Sequence, residues 1–363
     1  MEKEEYRYWF YTLEYVTDTE SERLLREYKN IEEIYRLSTE HIEGISWLSQ
    51  RAKESIVCGR NEKNIQEKVA YMRDKQIKSV TMTEKVYPER LKYLKRKPKI
   101  LFYQGELPKE DIYGVAVIGA RDCSNYGRGL AEEIGTALAE QGANVISGMA
   151  RGIDGCAQRK ALEAGGKSYG ILGCGVDICY PKVNYGLYER LSRQGGIISE
   201  FVPGMRAKAM NFPQRNRIIS GMCDAIVVVE AKKQSGTAIT VEFGLEQGKD
   251  IYAVPGRITD VLSEGCNLLI SQGAYPVLSI EEMLKNMGVF QRKNLKKQKK
   301  MQIPLESNLK LVYDCLDFIP KSVTKLVEET GMEDYEKINE ILLDLEIDDR
   351  IQQTTTGYYV RKK

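Results

Sequence analysis

From residue 113 onward, short apolar runs alternate with amphipathic stretches. The runs 113–120 (YGVAVIGA), 143–148 (ANVISG), 168–175 (SYGILGCG), 196–200 (GIISE), 225–231 (AIVVVEA) and 250–256 (DIYAVPG) are β-rich and predict buried strands. Between them, 126–141, 154–164, 183–194, 215–221 and 237–248 read as helices, the first through Leu130, Ile134 and Leu138 at helical spacing. This alternation predicts a parallel, doubly wound α/β sheet. In such sheets ligands bind beyond the carboxyl ends of the strands. Nearly every run ends in Gly, Ser or Pro, so the ligand-facing edge is readable from the sequence.

The flanks follow other patterns. Tyr6, Trp9, Phe10 and Leu13, then Leu24, Leu25, Tyr28, Ile31, Ile34 and Tyr35, recur at three- and four-residue spacing and predict a small helical bundle over 6–75. Strand-like segments follow at 79–82 and 100–103. At the other end, helices are expected at 308–317, 323–330 and 335–344, then a hairpin over 351–360. Three helices and a hairpin suggest a winged helix. The expected division is 1–75 helical, 76–285 sheet core, 286–301 linker and 302–363 winged-helix-like.

Charge sharpens this division. The whole chain of 363 residues carries 54 Lys+Arg against 52 Asp+Glu. Residues 286–301 hold six basic and no acidic side chains, whereas 302–363 hold eight basic against thirteen acidic, net −5. The basic run 291–300 reads as a solvated linker or as a nonspecific phosphate contact. An acidic terminal module, with Asp334, Glu336, Glu340 and Asp344 in its expected recognition stretch, is a poor duplex reader and favours protein contact.

Composition excludes several chemistries. The single histidine, His41, lies in a Glu-rich helical stretch, so Ser-His-Asp, Cys-His and multi-His metal mechanisms lack their parts. The eight cysteines are scattered, with no C-x-x-C pair, which fits free thiols in a reduced cytoplasm and no metal site. No apolar run approaches ~18 residues and the opening MEKEEYRYWF is charged, so neither a membrane span nor a secretory leader is expected.

Four turns on the predicted edge favour anions. IGARDCSNYG (118–127) places Arg121 after the small residues Gly119 and Ala120, ahead of a helix start. It is not G-x-G-x-x-G, so a dinucleotide cofactor is not indicated. SGMARGID (147–154) brings Ser147, Gly148 and Arg151 to the same edge, with Asp154 either a helix cap or a ligand contact. NFPQRNRIISG (211–221) joins Phe212, a stacking ring or a core residue, to Arg215, Asn216 and Arg217 near a helix start. KKQSGTAIT (232–240) sets Ser235 and Gly236 before another helix. Arg215 and Arg217 lie two apart, ~200° around a helix. One is therefore expected to hold a phosphate and the other a neighbouring phosphate or a structural acid; Arg215, nearer the helix start, is assigned the phosphate.

In order and spacing, IGARxxSxYG, SGMARGID, ILGCGVDICYP, FPQRNRIISG, VVVEAKKQSGTAIT, LEQGKDIYAVPG and SEGCNLLISQGA closely resemble the DNA-processing protein A family (DprA, also called Smf), from about Lys99 to Leu278. The resemblance implies an extended Rossmann-like core between a small SAM-like helical domain and a C-terminal winged helix. It also implies a cytoplasmic, homodimeric single-stranded DNA-binding protein of natural transformation, without catalysis, cofactor or metal, which protects incoming strands and loads the RecA recombinase. The strand-binding positions it implies are Arg121, Ser147, Gly148, Phe212, Arg215, Asn216, Arg217, Ser235 and Gly236. Ala120 stands where the family usually has Ser, and Gln158 where members often carry His.

Two other readings compete. Rossmann-like nucleotide phosphoribohydrolases use PGGxGTxxE; here Gly236-Thr237 is followed by Thr240 at the Glu position, with Glu242 two residues further on. A pure RecA-interaction scaffold with incidental DNA binding is the third.

Overall fold

The computed structural model describes residues 1–289, 307–332, 334–348 and 350–361. The basic run 291–300 lies outside the described residues. Two compact units separate at Phe290/Gln291.

Six helices open the first unit: α1 Lys3–Thr12, α2 Asp18–Glu27, α3 Ile31–Arg36, α4 Thr39–Gly44, α5 Gln50–Cys58 and α6 Glu62–Asp74. Each of the last five starts where a side-chain oxygen accepts an N–H of the first turn. Thr17, Asn30, Ser38, Ser49 and Asn61 are those caps. His41 belongs to α4 and hydrogen bonds Tyr28 Oη through Nε2 at 2.9 Å on the surface. Strands β1 Lys78–Thr81 and β2 Ile100–Gly105 follow.

The alternating region then builds β3 Gly114–Ile118, α7 Asn125–Glu140, β4 Asn144–Ser147, α8 Ile153–Glu163, β5 Ser168–Ile171, α9 Tyr185–Gln194 and β6 Gly196–Ser199. It continues with α10 Asn211–Met222, β7 Ala225–Val228, α11 Gly236–Glu246, β8 Asp250–Ala253, α12 Glu264–Ser271, β9 Tyr275–Pro276 and α13 Ile280–Asn286. The nine strands form one sheet in the order β1-β2-β6-β5-β4-β3-β7-β8-β9. From β6 to β9 every pairing is parallel. β2 pairs antiparallel with both β1 and β6, so the sheet is mixed at that end. The alternating region from β3 to β9 is thus parallel throughout, as its pattern predicts, and the antiparallel pairings of this sheet all involve β2, which lies before it.

Side chains alternate across the central strands, as a period of two requires. Val115 and Val117 of β3 pack with α7, α8 and α13, while Ala116 and Ile118 join the cluster under α9 and α10. That second cluster runs without a break from Trp9 of α1 through Phe102 of β2 to Ile219 of α10. The N-terminal helices therefore share their apolar core with the sheet. Strand order reverses between β3 and β7, and this switch point puts a crevice beyond their carboxyl ends.

The second unit runs α14 Ser307–Cys315, β10 Lys321–Ser322, α15 Val323–Thr330, α16 Tyr335–Ile347, β11 Ile351–Thr355 and β12 Tyr358–Arg361. Its sheet order is β10-β12-β11, antiparallel. Val312, Leu326, Ile338, Leu342 and Ile351 close its core. Asp334 is the N-cap of α16, accepting from the Glu336 and Lys337 N–H groups. Glu336, Glu340 and Asp344 are exposed.

Candidate functional site

A cleft of about 700 Å³ opens at the switch point, lined from the turns after β3 and β7, the first turns of α10 and α11, and the segment around Tyr180. α10 supplies its floor. The helix begins at Asn211, four residues before its expected start, and Pro213 falls in its first turn, where a missing N–H costs no helical bond. Phe212 of that turn packs 5.5 Å from the Tyr180 ring, centroid to centroid. Arg121, exposed on the β3 turn, holds its guanidinium carbon 5.6 Å from the Phe212 centroid, and that of Arg215 lies at 5.8 Å. Two cations thus lie within cation–π range of one half-buried ring.

Arg215 and Arg217 diverge, as their spacing on one helix requires, and both are buried. Arg215 is 5% exposed. Its Nη1 donates to the Gly148 carbonyl at 2.9 Å and to the Ile171 carbonyl, and its Nε to Asn216 Oδ1 at 3.2 Å. Burial brings its pKa down to about 10, against the opposing pull of Asp154. Asp154 accepts the Gly148 N–H at 3.1 Å, and burial raises its carboxyl despite the facing Arg215. The solvent-facing arginine of the cleft is therefore Arg121, and Arg215 is committed to the fold beneath it. This revises the expectation of Arg215 as a purely phosphate-holding group. Arg217 turns the other way and pairs with Glu200, outside the cleft lining.

Two glycines allow this packing. A Cβ on Gly148 would lie 2.8 Å from the Arg215 guanidinium, and one on Gly173 would lie 2.9 Å from the Phe212 ring. Gly148 gives its N–H to Asp154 and its carbonyl to Arg215. The Ser147 hydroxyl, fully buried, donates to the Val117 carbonyl at 2.7 Å. The expected exposed hydroxyl and backbone at 147–148 are thus consumed inside the protein. The adjacent Met149 stands at φ 54°, held by the Gln158 and Asn184 side chains. Gln158 also donates to Ser168 and Tyr169, a wholly structural set of contacts. Asp154 is the second residue of α8 and not its cap; Gly152 stands at the cap. Arg151 is exposed, pairs with Asp122 at 3.3 Å, and lies outside the cleft lining.

The two helix N-termini at the cleft differ. At α7, Ser124 caps the helix, and the Glu230 carboxylate takes the Ser124 N–H at 2.9 Å and its hydroxyl. The protein sets its own carboxylate against that helix start, so a ligand anion would meet a negative group there. At α11, Ser235 stands at the cap without capping, its Oγ buried with no partner, and Gly236 beside it has open space around its Cα. Asn216 fixes this turn by donating to the Gly236 carbonyl at 3.3 Å. Lys232, exposed, adds positive charge at the same rim. This is the open anion cradle of the cleft.

Of the expected residues, the cleft gathers Arg121, Phe212, Arg215, Asn216, Ser235 and Gly236. Thr237 lines it too, as expected of the 235–237 turn, whereas Tyr180 in the lining and Glu230 at the start of α7 were not anticipated. Glu230 had a signal, a carboxylate closing an apolar strand. Tyr180, within CGVDICYP, had none that distinguished it from core. Thr240 is buried and Glu242 exposed outside the cleft lining, so neither stands as the carboxylate a phosphoribohydrolase would need there. Among the described residues no helix is long and apolar enough to cross a membrane.

Known proteins share this architecture. The family model described as DNA recombination-mediator protein A matches residues 78–288. The DNA processing protein DprA of Streptococcus pneumoniae is 40% identical over 206 residues, 57% of this chain and 73% of the relative. Protein Smf of Escherichia coli is 38% identical over 226 residues, 62% of this chain and 60% of Smf. The crystal structure of the pneumococcal protein superposes with a TM-score of 0.67 at 32% identity, covering 77% of this chain and 97% of that one. DNA processing protein A of Helicobacter pylori, whose structure is described as giving insight into its unique single-stranded DNA binding mode, gives a TM-score of 0.54 at 26% identity over 58% of this chain and 95% of that one. A match over more than half the chain, coinciding with the sheet that builds the cleft, means that this protein belongs to the DNA recombination-mediator protein A family, the DprA and Smf proteins.

Proposed function

We propose that this protein binds single-stranded DNA across the carboxyl edge of its sheet and acts by binding, without catalytic turnover. One nucleotide base stacks against the Phe212–Tyr180 pair. Its phosphates meet Arg121, Lys232 and the uncapped start of α11, while Arg215 and Asn216 hold the floor in shape. The observation that carries this reading is the cleft itself: an aromatic pair under a solvent-facing arginine, beside a helix N-terminus whose Ser235 hydroxyl lacks a partner. Base stacking with phosphate clamping recognises single strands without reading sequence.

Family membership and the Helicobacter pylori relative support a role in which the protein protects a single strand during DNA-mediated transformation and delivers it to the RecA recombinase. In the same reading it works in the cytoplasm as a homodimer through the sheet core. The second unit, with its helix–strand–helix–helix–hairpin order, is a winged helix whose exposed acidic α16 face meets protein and not duplex DNA.

Filter binding of homopolymeric single strands across a salt series tests the proposal. Three or four phosphate contacts predict a log–log slope of about −2 to −3, at roughly −0.7 per phosphate. Duplex of the same length should bind more weakly. A slope near zero, or preference for duplex, would overturn it.

A further inference from the structure

We propose a second nucleotide site on the face of α10 opposite the cleft. A cavity of about 770 Å³ lies there, between the 89–96 segment and helices α10 and α11. Its size suits one nucleotide. The argument starts from unmet hydrogen-bonding capacity. Arg217 is only 9% exposed and lines the cavity; its Nη2 pairs with Glu200, but its Nη1 is buried without a partner. Gln247, also in the lining, donates through Nε2 to the Arg217 carbonyl at 3.3 Å, while its Oε1 is buried without a partner. Buried polar groups are rarely left unpaired. Here a donor and an acceptor remain unmet on two neighbouring residues of the cavity wall, capacity that a ligand presenting both an acceptor and a donor would satisfy once these side chains turn toward it.

The rest of the lining narrows the ligand class. Tyr93, 80% exposed, and Phe243 offer aromatic surface for a planar ring. The lining glutamates Glu89, Glu110 and Glu246 are each paired with Lys92, Arg90 and Lys95 respectively, whereas Arg96 and Lys249 make no ion pair among the described residues, so the unpaired charge of the cavity is positive and a negative group is favoured. A heterocycle with mixed donors and acceptors, attached to a phosphate, has this chemistry. The occupant is either a free mononucleotide or one nucleotide of a longer bound strand. In both cases α10 joins the sites, since Phe212 and Arg215 face the cleft and Arg217 faces the cavity.

The test is calorimetry on the full chain with dAMP, dGMP and dTMP, using ribose 5-phosphate as the phosphate-only control. It is repeated on Tyr93→Ser and Gln247→Leu, with thermal melts to check folding, and on Phe212→Ala as the cleft variant. A nucleotide should bind better than ribose 5-phosphate, and Tyr93→Ser should weaken it by about fivefold or more, the lower end of one stacked base. Gln247→Leu should weaken it too, and the component of binding that depends on Tyr93 and Gln247 should persist in Phe212→Ala, which removes only what the cleft contributes. If the mononucleotide still saturates with a dT20 strand already bound, the occupant is free nucleotide. If dT20 excludes it and Tyr93→Ser weakens dT20 but not a short dT4, the occupant is part of the strand. The proposal fails if no nucleotide binds, or if binding responds only to Phe212→Ala. Failure of the cleft reading appears separately, as strand binding indifferent to Phe212→Ala.

Discussion

Changing Arg215 to Met should unfold the cleft floor before it reports on any phosphate. The substitution keeps an apolar stem and removes a guanidinium that serves two backbone carbonyls and faces the buried Asp154. Removing one partner of a buried charge pair costs about 3–5 kcal/mol. Unfolding entropy is roughly 2.1 cal/mol/K per residue, so the 290-residue first unit carries about 0.6 kcal/mol/K. A loss of about 4 kcal/mol then lowers Tm by roughly 6–7 °C. Burial raises the Asp154 carboxyl and lowers Arg215, so both charges are costly where they sit. Arg215→Met/Asp154→Leu should therefore melt well above the value expected by adding the two single losses. Circular dichroism melts of the four proteins, with dT20 filter binding at two salt concentrations, are the assay. Residual binding by Arg215→Met should keep the wild-type salt slope. If that variant melts within about 1 °C of wild type and its slope falls by roughly 0.7, one phosphate contact, Arg215 is a solvent-facing phosphate ligand and this reasoning is refuted.

Other outcomes follow from the same geometry. Arg121→Ala should leave Tm unchanged and reduce the salt slope by roughly 0.7, one phosphate contact, measured by filter binding. Deleting 302–363 while keeping the basic run 291–300 should leave single-strand affinity unchanged or slightly improved at low salt, because the deleted part carries net −5; a gel shift showing a large loss would mean the second unit binds DNA. Burial pushes the Cys174, Cys223 and Cys266 thiols up to about 12, above the ordinary value of 9. Between pH 9 and 12 these thiols ionise in the unfolded chain but stay protonated in the fold, so stability should fall as pH rises through that window. Each contributes about 1.4 kcal/mol per pH unit, measurable by urea titration in the presence of reductant.

The sheet was legible because its central strands are buried on both faces and read as uninterrupted apolar runs. Its antiparallel end was not: segments 79–82 and 100–103 read as strands, but nothing local says that β2 pairs with β6. β9, two residues long, has no periodicity to detect. Phase was readable on α10, where residues two apart must diverge. Depth was not, because the burial of Arg215 depends on the missing side chain of Gly148 and on Asp154 from another helix. Helix starts carry N–H groups, and sequence cannot tell whether a distant carboxylate already stands against them. Glu230 does so at α7, while the start of α11 stays open. The cleft's aromatic pair likewise joins residues 32 positions apart, Tyr180 and Phe212, whose meeting is tertiary.

The cleft as the seat of the strand is tested most directly by photocrosslinking. A dT20 carrying one 5-iodouracil, irradiated in complex with the full chain and mapped by peptide mass spectrometry, reports which ring a base touches. The adduct should fall on Phe212 or Tyr180 and disappear from Phe212 in Phe212→Leu. Adducts confined to the second unit, residues 307–361, with none on the rings of the cleft, would contradict the account.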